Sequence, residues 1–233
     1  MRKIFSVVSC VLLAFSLTAC GNTGSSISTT ENSSEDVSTS SAYEPENFEI
    51  ISDEPSNSEM SKILVAYFSL ANEQYEVGVI ERGNTQIIAE IIAEKTGADT
   101  FSITATTTTY PTTYNELLDI SRREESDPPE LFEAVDNMDD YNTVFIGYPI
   151  WWGNLPTIVK VFLESHDLSG KTVIPFCTHA GSGLSGTQRS IESLCSAAEV
   201  KDGLAIKGTT AQNDQAAAEN IIADWLMEIG IND

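Results

Sequence analysis

The sequence predicts an α/β fold, a three-layer sandwich in which helices cover both faces of a five-stranded parallel sheet. Apolar strand patterns and helical patterns alternate five times between residues 61 and 233, and such alternation is typical of a parallel sheet. The run 143–148 is β-branched and aromatic, as expected for a strand buried on both faces. Right-handed crossovers then place every strand-to-helix loop at one edge of the sheet.

The first half of this pattern contains two strands and two helices. An apolar strand is predicted over 62–68. A helix over 85–95 follows, because four isoleucines recur at helical spacing and Gly97 ends the pattern. A short strand over 99–103 and a helix over 112–123 come next, before an acidic loop that contains Pro128 and Pro129.

The second half contains three strands and three helices. The buried strand 143–148 leads into a helix over 155–164, and Pro156 lies near its first turn, where proline is tolerated. Strand 172–177, helix 185–197, strand 203–207 and helix 216–229 complete the pattern.

The N-terminal region reads as a targeting segment rather than as part of the fold. Basic residues at 2 and 3 precede an apolar run and then Leu17-Thr18-Ala19-Cys20, a tetrapeptide that resembles a bacterial lipoprotein box. We expect residues 1–19 to be a signal peptide, Cys20 to carry the lipid, and the polar stretch 20–60 to form a disordered tether. The protein would then be anchored at the extracytoplasmic face of the cell membrane. An ordinary secretory signal is the alternative.

Residues 61–233 have the length of one domain with a substantial core. They carry 10 Lys and Arg against 26 Asp and Glu, a net charge of −16. This acidity disfavours nucleic acid and anionic lipid as partners. The two cysteines of the domain, Cys177 and Cys195, are predicted to be buried free thiols rather than a disulfide.

Two loops of the predicted sheet edge carry candidate ligand contacts. In the doubly wound strand order 2-1-3-4-5, the loops after strands one, three and four meet at one crevice. After strand one, Ser69 and an inserted segment lead to Gly83-Asn84-Thr85, where exposed helix N–H groups would hold a phosphate. Asn84 or Thr85 could instead be only a helix N-cap. After strand four, Thr178-His179-Ala180-Gly181-Ser182-Gly183 offers backbone donors, and His179 is either a proton donor or incidental.

The loop after strand three holds two adjacent tryptophans. Pro149 and Ile150 lead into Trp151 and Trp152, and Gly153 follows. The pair predicts a stacking platform for a planar ring, or alternatively a cap on the core.

Several segments together resemble the flavodoxin family, and the resemblance covers nearly all of residues 61–233. They are Ile63-Leu64-Val65-Ala66-Tyr67-Phe68-Ser69, Gly83-Asn84-Thr85, Tyr110-Pro111 with Tyr114-Asn115, Tyr148-Pro149-Ile150-Trp151-Trp152-Gly153, and Val173-Ile174-Pro175-Phe176-Cys177-Thr178. The resemblance implies a flavodoxin-like fold and non-covalent binding of FMN. Ser69, Asn84 and Thr85 would hold the phosphate; Pro149, Ile150, Trp151, Trp152 and Gly153 would flank the isoalloxazine; and Thr178 through Gly183 would meet its pyrimidine edge.

One segment departs from the family pattern. Residues 70–82 interrupt the usual run from the serine into the Gly-Asn-Thr turn, and one hypothesis is that they fold, with Tyr75, as a flap over the site.

The resemblance implies an electron carrier and, together with the predicted anchor at Cys20, a membrane-tethered one that serves a redox partner protein or a membrane quinone. Two alternatives stay open. One is an FMN-dependent reductase of quinones or nitro compounds that uses NAD(P)H. The other is a binding module that keeps the fold without redox chemistry.

Overall fold

The structure is a computed structural model that describes residues 62–106 and 109–231. The predicted signal peptide, the predicted lipid site at Cys20 and the predicted tether lie outside the described residues. Within these two ranges, no helix combines the length and the apolar character that crossing a membrane requires.

Eight strands and six helices make up the described part of the chain. The strands are β1 (Lys62–Tyr67), β2 (Asn72–Gln74), β3 (Gly78–Ile80), β4 (Asp99–Ser102), β5 (Tyr141–Pro149), β6 (Thr172–His179), β7 (Glu199–Val200) and β8 (Leu204–Lys207). The helices are α1 (Asn84–Thr96), α2 (Tyr114–Arg123), α3 (Thr157–Ser165), α4 (Thr187–Leu194), α5 (Gly208–Asn213) and α6 (Gln215–Glu228).

The central sheet has the predicted parallel strand order. It runs β4-β1-β5-β6, and both β7 and β8 pair with the outer side of β6. Every pairing in this sheet is parallel. Tyr67 lies beside Gly147, and Gly147 lies beside Phe176. The ends of β1, β5 and β6 therefore reach the same edge of the sheet, as the sequence predicted.

The fifth strand position is divided between β7 and β8, whereas the sequence predicted one strand over 203–207. The Lys201 N–H donates to the carbonyl oxygen of Val173, so Val173 faces this outer position. Backbone groups alternate sides along a strand, and Pro175, two residues on, faces the same way. Because proline has no N–H, β6 offers no donor there, and the outer strand is interrupted at the same level.

Two apolar cores cover the two faces of the sheet. Val144 and Ile146 of β5 belong to the core on the side of α3, which includes Phe162. Phe145 points the other way and belongs to the core that contains Ile88 of α1. The alternation along β5 explains why the run 143–148 is continuously apolar, since both of its faces are buried.

Three smaller elements differ from the sequence prediction. Residues 72–80, within the inserted segment, form the antiparallel hairpin β2–β3. The short helix α5 was not predicted. Helix α4 is shorter than the predicted range 185–197: it begins at Thr187, after Ser185 adopts a left-handed conformation with φ 52°, and it ends at Leu194.

The two cysteines of the domain are free and buried, as the sequence predicted. Burial raises the pKa of Cys177 to about 12 and that of Cys195 to about 11. Thiols with such high pKa values are poor nucleophiles.

Candidate functional site

A cleft of about 370 Å³ opens at the carboxyl edge of the sheet. Its walls come from the loops that follow β1, β5 and β6, together with the hairpin β2–β3 and helix α2. Eight predicted site residues line it, namely Asn84, Pro149, Ile150, Trp151, Trp152, Thr178, His179 and Ala180. Seven others lie outside its lining, namely Ser69, Gly83, Thr85, Gly153, Gly181, Ser182 and Gly183.

The start of α1 is built around the contact between Ser69 and Gly83. Gly83 is the N-cap residue and has no side chain to cap the helix. The Ser69 hydroxyl takes that role by accepting the N–H of Gln86 at 3.0 Å. A Cβ on Gly83 would lie 2.2 Å from the Ser69 Oγ, so only glycine permits this approach. Ser69 and Gly83 are therefore in contact although residues 70–82 lie between them in the sequence.

The first two residues of α1 fix the helix start to its neighbours, and neither of them is the N-cap. The Thr85 and Thr178 hydroxyls are hydrogen-bonded at 2.8 Å, which ties α1 to β6. The Asn84 side chain accepts the Nε2–H of Gln212 at 2.9 Å and packs against Gly208. Among the described residues, no acceptor is recorded for the backbone N–H groups of Asn84 and Thr85. Within this part of the chain, both N–H groups are therefore left without a partner at the helix start, but of the two residues only Asn84 lines the cleft, whereas Thr85 is 1% exposed.

The tryptophans occupy a tight turn after β5. Trp151 and Asn154 exchange two backbone hydrogen bonds, at 3.1 and 2.8 Å. The central residues Trp152 and Gly153 have φ values of 53° and 77°, the pattern of a type I′ turn. A left-handed tryptophan is uncommon and costs backbone energy, and such strain tends to occur at functional sites.

Trp151 and Trp152 are held differently. Trp151 is partly buried, with its ring edge-on to Phe68 at 5.3 Å and to Tyr110 at 6.0 Å. Trp152 is 47% exposed. Its Nε1–H donates to the Ser121 Oγ at 2.9 Å, and the Arg122 guanidinium lies 4.0 Å from its ring centroid. Trp151 thus belongs to both the core and the cleft, whereas Trp152 depends on α2 for its position.

His179 organises the glycine loop after β6. Its Nδ1 accepts the N–H groups of Gly181 at 2.8 Å and Gly183 at 3.2 Å. An Nδ1 that accepts two hydrogen bonds carries no proton, so the remaining proton of a neutral ring is on Nε2. Burial, with a smaller contribution from the Lys207 ammonium, lowers the pKa of His179 below its usual value. His179 lines the cleft, and these two hydrogen bonds fix its ring.

The hairpin β2–β3 forms a wall of the cleft that the sequence had suggested only as a flap. The Glu73 carboxylate accepts the Tyr114 N–H at 2.8 Å, which fixes the hairpin to the start of α2. Tyr75 then stacks on Tyr114 with ring centroids 5.7 Å apart. Gln74, Glu76 and the α2 residues Leu117, Leu118 and Ser121 were not predicted as site residues. Of the residues in this wall, the sequence had pointed only to Tyr75 and Tyr114.

The described residues contain no group of three or more His, Cys, Asp or Glu side chains arranged to hold a metal ion.

Comparisons with known proteins point to one family. The family model described as Flavodoxin matches residues 62–225. A search of curated proteins found no match.

Three solved structures are similar over most of their own length. A candidate flavoprotein of Bacteroides eggerthii is 32% identical, with a TM-score of 0.58 over 74% of this chain and 99% of that one. A candidate flavoprotein of Bacteroides uniformis is 27% identical, with a TM-score of 0.55 over 70% and 98%. A flavoprotein of Lactobacillus acidophilus in complex with FMN is 21% identical, with a TM-score of 0.50 over 64% and 95%.

Proposed function

The chain belongs to the flavodoxin family, and from this membership we propose that it binds FMN non-covalently in the cleft and transfers electrons. The observation that carries the proposal is the pairing of free helix donors with an aromatic turn at one sheet edge. The relative that is 21% identical supports the fold, so the argument for FMN rests on the cleft of this chain.

The phosphate end of FMN fits the start of α1. The N–H groups of Asn84 and Thr85 have no acceptor among the described residues, Asn84 lines the cleft, and the helix dipole favours an anion at this position. The Ser69 hydroxyl accepts from Gln86 and keeps its own proton free to donate. Gly208 lets the Asn84 side chain lie close against α5.

The ring end fits the tryptophan turn and the glycine loop. Trp151 and Trp152 offer indole surface, and His179 offers its N–H donor. Bound FMN would supply the electron transfer that no side chain here provides, while the protein sets its exposure and its potential.

We further propose that the protein acts at the extracytoplasmic face of a bacterial membrane. The motif that ends in Cys20 supports a lipid anchor, and the polar residues 20–60 support a tether. A redox partner protein or a quinone in the same membrane would exchange electrons with it. The acidic composition argues against nucleic acid as a partner.

Titration of the purified protein with FMN and, separately, with riboflavin tests this proposal. We expect tight binding of FMN with perturbed visible absorbance and quenched flavin fluorescence, and much weaker binding of riboflavin, which lacks the phosphate. Equal affinities would contradict the phosphate site at α1. No binding of either flavin would leave a non-redox binding module as the function.

The acidity of the domain predicts a low potential for the second electron. Residues 61–233 carry a net charge of −16, which opposes further negative charge in the cleft. About 1.4 kcal/mol of repulsion corresponds to about 59 mV for one electron. We expect potentiometry to give a second-electron potential below that of free FMN, and high salt to reduce the difference. An equal or higher potential would contradict this prediction.

The hairpin wall favours a second candidate function, FMN-dependent reduction of quinones or nitro compounds with NAD(P)H. The stacked Tyr75 and Tyr114 rings give the cleft an aromatic wall besides the tryptophans, which suits a planar acceptor. Sustained NADH oxidation that requires both FMN and a quinone would favour the reductase over the electron carrier.

A further inference from the structure

A buried carboxyl group lies close to the tryptophan turn without a partner. Glu124 is 3% exposed. Among the described residues, neither of its carboxylate oxygens nor the buried Tyr110 hydroxyl has a partner within hydrogen-bond geometry. Three unsatisfied polar atoms at one place are unusual in a native fold and call for an explanation.

The position of this pair links it to the cleft. Glu124 is the C-cap residue of α2, three residues after Ser121, and Ser121 accepts the indole N–H of Trp152. The Tyr110 ring packs edge-on against Trp151, with centroids 6.0 Å apart. Tyr110 therefore connects Glu124, which it faces, to a tryptophan that lines the cleft.

The surroundings of Glu124 oppose its charged form. Burial raises its pKa, and the Tyr110 hydroxyl opposes that rise only in part. The pKa of Tyr110 is raised far above its usual value. Burial is the largest cause, followed by the nearby Glu124 charge and by the tendency of the two side chains to form a hydrogen bond. Because burial outweighs the effect of the Tyr110 hydroxyl, the Glu124 carboxyl group keeps its proton to a higher pH than an exposed glutamate does.

Among the described residues, no cationic side chain forms an ion pair with the Glu124 carboxyl group. Arg122 stacks on Trp152, and the Arg123 Nε–H points back to the Asp119 carbonyl oxygen at 3.4 Å. Glu125, next along the chain, is exposed. Tyr110 is the titratable group that faces Glu124 from a different element.

We propose that Glu124, with Tyr110, is a proton store whose protonation is coupled to negative charge in the cleft. The inference rests on the proposed function, since the charge would arrive with an electron donated by a reductant. Its balance applies at a pH between the Glu124 pKa before reduction and the higher pKa after it: one electron from the redox partner protein enters the cleft, and one proton from the solvent forms an O–H bond on the Glu124 carboxylate. Because such coupling is reciprocal, the held proton would in turn favour the electron. Glu124 is a positioning residue in this scheme and need not touch the ring.

Carboxyl NMR of the protein labelled with ¹³C-glutamate tests the inference in three states: free, with FMN, and with FMN reduced by dithionite. Glu124→Gln identifies the signal and, being nearly isosteric, preserves the fold. Glu125→Gln is the matched control, since it removes a carboxylate from the next residue of the chain, which is exposed. We expect the Glu124 signal to titrate above pH 4.5 in the free protein and higher still after reduction.

Two readouts do not depend on the NMR signal. A raised pKa in the folded state means that Glu124 stabilises the protein below about pH 4.5 and loses this contribution as pH rises through the folded pKa. The stability of Glu124→Gln relative to the parent should therefore increase over that range. The midpoint potential of the parent should also depend on pH in the same window. The part of this dependence that is lost in Glu124→Gln should have a slope of up to about 59 mV per pH unit.

The outcomes separate the two proposals. An ordinary Glu124 titration in the free protein, or a titration unchanged by reduction, would overturn the proton store while leaving FMN binding intact. Failure to bind FMN would overturn the proposed function and the coupling together. The titration of Glu124 in the free protein would still be measured, because it does not require FMN. Glu125→Gln should match the parent in every readout.

Discussion

Replacing Trp151 with alanine is expected to lower the free energy of unfolding by about 3 kcal/mol, the lower end of the range for buried tryptophans. The ring packs edge-on against Phe68 and Tyr110, so its removal opens a cavity at the end of β1. FMN affinity should fall as well, because the same ring lines the cleft. Urea denaturation with an unchanged m-value, and flavin titration, measure the two effects.

Trp152→Ala is the matched control, since it removes the same side chain from the next position of the same turn. Trp152 is 47% exposed, and its loss removes one hydrogen bond and one stacked arginine. We expect a loss of stability of about 1 kcal/mol together with a clear loss of FMN affinity. Equal destabilisation by the two substitutions would contradict the difference in their packing.

Replacing Gly83 with alanine is expected to disturb the start of α1 more than a glycine-to-alanine substitution at any other position near the cleft. The new Cβ would lie 2.2 Å from the Ser69 Oγ and 2.6 Å from the carbonyl oxygen of Leu70. Since one of these is backbone, the helix start must shift, at a cost of about 1–3 kcal/mol. The shift moves the N–H groups of Asn84 and Thr85, so we expect FMN to bind about tenfold or more weakly, a loss of about 1.4 kcal/mol.

Gly186→Ala separates crowding from the ordinary effect of losing a glycine. Gly186 is also a helix N-cap, at the start of α4, with a negative φ of −98°. A Cβ there has no neighbour within 4 Å. We expect little change in stability or in FMN affinity for this variant. A similar loss in both alanine variants would argue against the contact between Ser69 and Gly83 as the cause.

The sheet and its order could be predicted because their signals are long and periodic. The strand around Phe145 is apolar from Val144 to Ile146, where successive residues are buried on opposite faces, and Gly97 ends α1 in the left-handed conformation that its place in the pattern indicated. Hydrophobic period and glycine position suffice for such elements. The split of the fifth strand could not be predicted in the same way, since it depends on which side of β6 Pro175 faces.

The second wall of the cleft escaped prediction for a physical reason. The strand of Asn72, Glu73 and Gln74 has no apolar alternation, and the hydrogen bond that fixes it is made by a carboxylate to Tyr114, 41 residues away. Propensity cannot reveal a contact of that range. The position of Glu124 is similar: its charge suggested solvent, and only the packing of α2 shows that it is buried.

The interrupted outer strand affects how molecules of this protein meet one another. The free edge of a sheet is a template on which another chain can add a strand, and long, flat edges lead to aggregation. Here the sheet ends on one side at β4, with four residues, and on the other at two strands of two and four residues. Neither border offers a long continuous row of backbone donors. Copies concentrated on one surface would thus have little opportunity to join their sheets, and the domains should remain separate.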